Sequence, residues 1–329
     1  MKFLLTGDLH NKSGLNSQLI LDYLDYLQEY YFEHDLDYII IMGDIFNKNS
    51  NIKTDIFVPF FLKFWEMKQS GINFIFIVGN HDIYNRDYDT LIDTFTPLGK
   101  VVKEYEEIEF DGKICGFLPY VMKEDNLPKN TNAQWLFTHL SIANFSFDNA
   151  YHATEKNAFK EELFEEYSLV FTGHFHRHQY RKNIVYIGSP IQLYRGEIDQ
   201  EKGFILFDTE TEKWEFEEYT DAPKYIEVYS KDIANIRSFN IKGNFVVVYI
   251  DEKIQDFAKL RYVLYELGAV DIIPIFLKED SINTVEAQMQ ETQDMEQITR
   301  EFIQQTKDDD IDINKLLLLF DEVVKEVGQ

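Results

Sequence analysis

The sequence predicts an α/β fold: an α/β/β/α sandwich of two sheets, then a small α+β unit and C-terminal helices. Three observations predict it. In the first hundred residues short apolar runs alternate with segments of helical period. After Pro97 the texture turns strand-rich. Five of the apolar runs end in loops that carry Asp, Asn or His, as expected where strands deliver ligands at their carboxyl ends.

In chain order, Phe3-Leu4-Leu5 reads as the first strand, because the apolar run stops at Thr6-Gly7-Asp8, too short for a leader peptide. Leu19 to Tyr31 follows as a helix, with Ile20, Leu24, Leu27 and Tyr31 on one face. Tyr38 to Met42 and Phe74 to Val78 are continuous apolar runs, the pattern of strands buried on both faces. Between them a helix is predicted from Asp55 to Gln69, closed by Gly71. Beyond Pro97, strands are predicted over Ile108–Pro119, Gln134–Thr138, Leu169–Thr172, Ile184–Ile187, Gly203–Asp208 and Trp214–Tyr219, with one helix over Ala153–Glu166. A boundary is placed near Pro223. The strand, strand, helix and strand signals of Lys224–Tyr229, Asn244–Ile250, Ile254–Leu267 and Val270–Leu277 make the small α+β unit. The division is then 1–222, 223–279, a linker over 280–293, and a helical segment over 294–329. Its last helix gathers Ile313, Leu316, Leu317, Phe320, Val323, Val324 and Val327 in one stripe, more apolar surface than a lone helix hides from water.

With 45% hydrophobic and 16% aromatic residues, the 329-residue chain has material for a large core. Its one cysteine, Cys115, allows no internal disulfide and points to a reducing compartment. No stretch reaches the roughly 18 apolar residues of a membrane span, so a soluble, cytoplasmic protein is expected. The net charge of −26 argues against an independent DNA-binding module. It leaves room for a metal-dependent nuclease whose cations and partner supply the positive charge.

The five loops hold Asp8 and His10; Gly43-Asp44; Gly79-Asn80-His81-Asp82; His139; and Gly173-His174-Phe175-His176. Two histidines one residue apart in a turn can aim two imidazoles into one cavity. Seven of these residues have oxygen or nitrogen donors and none has sulfur, a mixture that suits manganese, iron or zinc. Taken singly the signals differ in strength. Asp-X-His and Gly-Asp are common turn polarity, His139 alone could be a buried structural histidine, and the two longer motifs have few structural reasons to exist. Their order, each at a strand end, is what argues for a site. His178 is expected to lie at the surface or behind the ligands, and His34 and His152 to be structural or solvated.

The ordered set Asp-X-His, Gly-Asp, Gly-Asn-His-Asp, His and Gly-His-X-His resembles the calcineurin-like metallophosphoesterase superfamily. The stretches Tyr186 to Leu193, Gly196-Glu197 and Gly203 to Glu210 further resemble its SbcD-type DNA repair nucleases, particularly the recombination nuclease subunit of tailed bacteriophages. The resemblance implies two divalent metal ions, manganese preferred, with magnesium, iron or zinc possible. It gives Asp8, His10, Asp44 and His176 to one ion and Asn80, His139 and His174, with bridging Asp44, to the other. His81 becomes the catalytic histidine that binds no metal. One departure is Asn47, where many relatives carry an acidic residue or histidine. The resemblance also makes 223–279 a capping domain and 294–329 a segment that binds an SbcC-type, SMC-like ABC ATPase. It implies a homodimer, for which Ile56 to Phe61 is an apolar candidate that core packing explains equally well.

The mechanism expected of such a site is in-line hydrolysis. A metal pair about 3.5–4 Å apart would activate a water and hold the scissile phosphate. His81 would stabilise phosphoryl charge or protonate the leaving oxygen. The resulting expectation is a manganese-dependent DNA nuclease, a 3′–5′ exonuclease on duplex ends and an endonuclease on single strands, acting in double-strand-break repair and recombination. The alternatives are a phosphodiesterase or phosphatase of a small molecule or phosphoprotein, and a non-cutting scaffold for DNA ends.

Overall fold

The structure is a computed structural model that describes residues 1–47, 52–85, 89–146, 158–250 and 257–277. The expected linker, the helical segment with its Ile313–Val327 stripe, and His152 lie outside the described residues.

Among the described residues fifteen strands run in order: β1 (Lys2–Thr6), β2 (Tyr38–Ile41), β3 (Phe74–Ile77), β4 (Gly99–Val102), β5 (Glu106–Phe110), β6 (Lys113–Leu118), β7 (Trp135–His139) and β8 (Leu169–Gly173), then β9 (Gln179–Arg181), β10 (Ile184–Tyr186), β11 (Gly203–Asp208), β12 (Lys213–Glu218), β13 (Tyr225–Tyr229), β14 (Phe245–Ile250) and β15 (Asp271–Phe276). Helices α1 (Leu15–Glu33) and α2 (Thr54–Gln69) connect the first three strands, and α3 (Phe257–Glu266) precedes the last.

The first sheet has the order β12-β11-β1-β2-β3-β4 and the second β5-β6-β7-β8-β10-β9. Strands β1 to β4 are parallel, as are β6, β7, β8 and β10, so their carboxyl ends emerge together. The alternating side chains of each strand explain the layering. On the first sheet Phe3, Leu5, Ile40, Ile75 and Ile77 meet Phe117, Trp135, Phe137 and Phe171 of the second, forming the core between sheets. The other face, with Leu4, Ile39, Ile41, Phe74 and Phe76, is covered by Ile20, Leu24 and Leu27 of α1 and by Phe60, Phe64 and Met67 of α2. Both faces are therefore buried, which is why these strands read as unbroken apolar runs.

Three local expectations are corrected. The run Ile108–Pro119 is a hairpin, not one strand. Asp111 (φ +50°) and Gly112 (φ +78°) form the left-handed turn that joins β5 to β6, the Asp-Gly signature of a two-residue hairpin. The short strands β4 and β9 were not anticipated. The described part of the expected 153–166 helix is a bridge of Phe159 to Ile142 and a 3-10 turn at Glu161–Phe164. Pairing with Ile142 takes the Phe159 backbone out of any helix, while Phe159, Phe164 and Tyr167 still cover the outer face of the second sheet.

Strands β13, β14 and β15 form a third sheet. The Tyr225 N–H at the head of β13 donates to Gln192 Oε1 at 2.7 Å, fastening this sheet to the 188–202 stretch. Among the described residues no helix is long and apolar enough to cross a membrane.

Candidate metal centre

The chain leaves β1, β2, β3, β7 and β8 at the same edge of the sandwich, and each departure carries candidate ligands. Asp8, His10, Asp44 and His174 all adopt positive φ (+49°, +43°, +52° and +94°). Such backbone strain at non-glycine residues persists where the surroundings enforce it, and here it turns the side chains inward. Glycines make the approach possible. A Cβ on Gly43 (φ +93°) would stand 2.5 Å from His139 Nδ1, and one on Gly79 would fall on the Asp44 carboxylate.

Two groups of donors result. In the first, His10 Nε2 faces His176 Nε2 at 3.0 Å and lies 4.0 Å from Asp8 Oδ1. In the second, Asn80 Oδ1 is 3.0 Å from His139 Nε2 and 2.9 Å from His174 Nδ1. Asp44 Oδ2 stands between them, 3.4 Å from His10 Nε2 and 3.3 Å from His139 Nε2. All seven expected ligands are thus brought together, although they come from five separated segments.

His81 joins them, its ring centroid 4.8 Å from that of His10, and it shares a possible donor group with His10 and Asp44. Its backbone N–H donates to Asp44 Oδ1 at 2.8 Å. Asn47, the departure from the family pattern, also touches His81. At this position the backbone is what meets the catalytic candidate: His81 Nδ1 donates to the Asn47 main-chain carbonyl at 3.1 Å.

The electrostatics are those of a site built for cations. Burial, together with the neighbouring histidines, pushes His10 and His174 down to about 3, so both imidazoles are neutral at physiological pH and keep a lone pair to offer. Burial also opposes the charged form of His139, but Asp44 and Asp8 outweigh it and raise that histidine to about 9. Burial likewise opposes ionisation of Asp44, yet His139, His10 and His81 hold its carboxyl well below the usual range.

The donor chemistry fits a pair of divalent ions. Imidazole nitrogens, two carboxylates and an amide oxygen converge, and two Nε2 atoms 3.0 Å apart are mutually repulsive acceptors unless a proton or a cation lies between them. The far nitrogens of two of the rings are engaged elsewhere. His139 Nδ1 donates to the Met42 carbonyl at 2.7 Å, and His176 Nδ1 to Glu197 Oε1 at 2.8 Å. Each such bond fixes the tautomer that turns Nε2 toward the cluster.

Two supporting residues escaped the sequence reading. Asp82 is buried, and its carboxylate accepts the backbone N–H groups of Asp44, Ile45 and Gly79 at 2.9, 3.0 and 2.9 Å, tying the loop after β2 to the loop after β3. Its place in Gly-Asn-His-Asp was the available signal. Glu197, fully buried, holds His176 through one oxygen and accepts Leu193 N–H and Lys202 Nζ through the other at 2.8 and 2.9 Å. His178 contributes no donor to the cluster. It stacks on Phe216 (centroids 4.1 Å apart) and donates to the Tyr186 carbonyl. His34 stacks on Tyr30 at the other end of the sheet.

A two-sheet α/β sandwich with such donors at its strand ends defines a metal-dependent phosphoesterase. The chain belongs to the calcineurin-like phosphoesterase family, which it matches over residues 1–178. Among characterised relatives it is similar to exonuclease subunit 1 of Enterobacteria phage T4, 27% identical over 311 residues that cover 89% of this chain and 90% of that one. It is also similar to the DNA double-strand break repair protein Mre11 of Nanoarchaeum equitans, 25% identical over 219 residues that cover 55% and 58% of the two chains. A solved archaeal phosphodiesterase aligns over 67% of this chain and all of its own, with 14% identity and a TM-score of 0.39.

Proposed function

We propose that this phosphoesterase is a manganese-dependent DNA nuclease, an exonuclease of 3′–5′ polarity on duplex ends and an endonuclease on single strands, working in the cytoplasm with an SbcC-type ABC ATPase. The observation that carries the reading is the placement of Asp44 between two donor groups. Asp8, His10 and His176 with Asp44 would hold one ion, and Asn80, His139 and His174 with Asp44 the other. The names of the T4 exonuclease subunit and of the archaeal Mre11 protein favour DNA as the substrate and a subunit as the working context.

When bound, the ion pair supplies a water of lowered pKa and positive charge against the scissile phosphate. The protein's own groups do the rest. Asp44, anchored by Asp82 through its backbone N–H, sets the spacing of the two groups. His81, whose Nδ1–H is held by the Asn47 carbonyl, would in its protonated form donate from Nε2 to a phosphate oxygen or to the departing sugar oxygen.

The Ile313–Val327 stripe is the proposed ATPase-docking surface, on the strength of its apolar pattern. A homodimer is proposed through the outer face of α2, where Val58, Leu62 and Trp65, spaced about one helical turn apart, are 42%, 56% and 42% exposed. A second reading, hydrolysis of a small molecule or phosphoprotein, is favoured by the net charge of −26 alone. Incubating the protein in manganese, magnesium and zinc with linear duplex DNA, cyclic nucleotides and phosphoproteins decides between them. Degradation of the DNA, fastest in manganese, is expected; hydrolysis of only the small or protein substrates would replace the proposal.

A further inference from the structure

A cavity of about 230 Å³ is lined by Asn11, Lys12, Ser13, Asn47, Ile52, Lys53 and Ile56, the first of them adjacent in the chain to the candidate ligand His10. We propose that it is a subsite for a phosphodiester group of the DNA strand, next to the phosphate that is cut. The proposal rests on the nuclease reading and names a part of its substrate that the metal donors do not touch.

The first observation is an unsatisfied amide. Asn11 is 3% exposed, and among the described residues neither its Oδ1 nor its Nδ2 has a hydrogen-bond partner. A buried polar group without a partner costs about 1–3 kcal/mol, so its retention calls for a ligand that supplies the missing bond. The amide cannot swing away cheaply, because the Asn11 main chain is pinned on both sides. Its N–H donates to the Ile45 carbonyl at 2.9 Å and its carbonyl accepts from Asn47 N–H at 3.2 Å.

The second observation is the sign of the lining. Lys12 and Lys53 are exposed at the cavity, the Ser13 hydroxyl adds a donor, and among the described residues no carboxylate lines it. Lys53 is also the N-cap residue of the 16-residue helix α2, so the partial positive charge of that helix end adds to the two ammonium groups. The acidic residue of that first turn, Asp55, is not part of the lining. Lys12 Nζ makes one long contact, 3.4 Å to the Leu193 carbonyl, and has further N–H donors to give. In a chain with 58 acidic and 32 basic residues, such a pocket is tuned against the prevailing charge.

The third observation is continuity. Asn11 follows the candidate ligand His10, and Asn47 is the residue whose carbonyl anchors His81. A strand with its scissile phosphate at the metal centre must lay the neighbouring phosphate close by. A phosphomonoester has no second phosphate to place there, so the subsite would favour polynucleotides over small esters.

The test uses the full-length protein in EDTA, where nothing is cut. Binding of a fluorescein-labelled single-stranded 20-mer is followed by anisotropy across a sodium chloride series. Lys12→Ala/Lys53→Ala is expected to raise Kd roughly tenfold and to reduce the slope of log Kd against log salt by about 1, as loss of one phosphate contact should. Asn11→Leu is expected to raise Kd several-fold while Tm holds or rises, whereas a purely structural amide would lower Tm when removed. Lys100→Ala/Lys213→Ala, a charge-matched change on two edge strands, is the control. Wild-type Kd and salt slope in the Lys12/Lys53 variant overturn the subsite and leave the nuclease reading standing. A wild-type protein that neither binds the strand nor cuts it in manganese overturns both.

Discussion

The Asp82 carboxylate accepts the Asp44 backbone N–H at 2.9 Å, and so the residue that stands between the two donor groups is itself placed by a neighbour on another loop. Three N–H groups meet at that one carboxylate. Asp82→Ala would leave them buried and unpaired, at a cost of about 3 kcal/mol or more in unfolding free energy. Urea denaturation measures this; a loss under about 1 kcal/mol would mean the loops are held by other contacts.

Glu197 does for His176 what Asp82 does for Asp44. It fixes the Nδ1–H tautomer from a fully buried position. Glu197→Gln can present its amide nitrogen or oxygen to the ring and loses the charge that pairs with Lys202. Manganese affinity, followed by calorimetry, should fall by roughly 10–100-fold, the usual cost of losing such a partner. Unchanged affinity would show that His176 is oriented without it.

His81 is the group most sharply separable from metal binding. His81→Ala should retain its metal content by elemental analysis while phosphoester hydrolysis drops by about 10²–10⁴-fold, the range expected for a general acid. Loss of one ion instead would make His81 a ligand, which its proximity to His10 and Asp44 makes a meaningful alternative outcome.

The pH dependence follows from His139, which Asp44 and Asp8 raise to about 9 against the effect of burial. Below that pH the ring carries two protons, and binding a cation at Nε2 must expel one. Apparent manganese affinity should therefore rise by up to roughly tenfold per pH unit between about 6.5 and 9, then level off. His10 and His174, lowered to about 3, add no such dependence over this range. Calorimetry in buffers of different ionisation enthalpy counts the proton released. No release at pH 7.5 would remove His139 from the ligand set.

The site's main donors were legible because their signal is local. An apolar run buried on both faces, then Gly-Asp or Gly-His-X-His, announces itself in a few residues. Asp82 and Glu197 were not assigned roles because theirs exist only once distant loops meet: Glu197 reaches His176 across 21 positions and Asp82 reaches Asp44 across 38. The Asp111-Gly112 turn was readable but masked by apolar residues on both sides, so the β5–β6 hairpin looked like one strand. The segment before Phe164 has helical composition, yet the Phe159–Ile142 bridge claims its backbone, an override that no local pattern shows.

In the proposed function Asp44 joins two cation sites. Titrating metal-free protein with manganese and reading bound ions by electron paramagnetic resonance tests it directly. Two ions per chain with a spin-coupled spectrum, reduced to at most one uncoupled ion in Asp44→Ala, is the predicted result. A single uncoupled ion in the wild-type protein, or a coupled pair that survives the substitution, would contradict it.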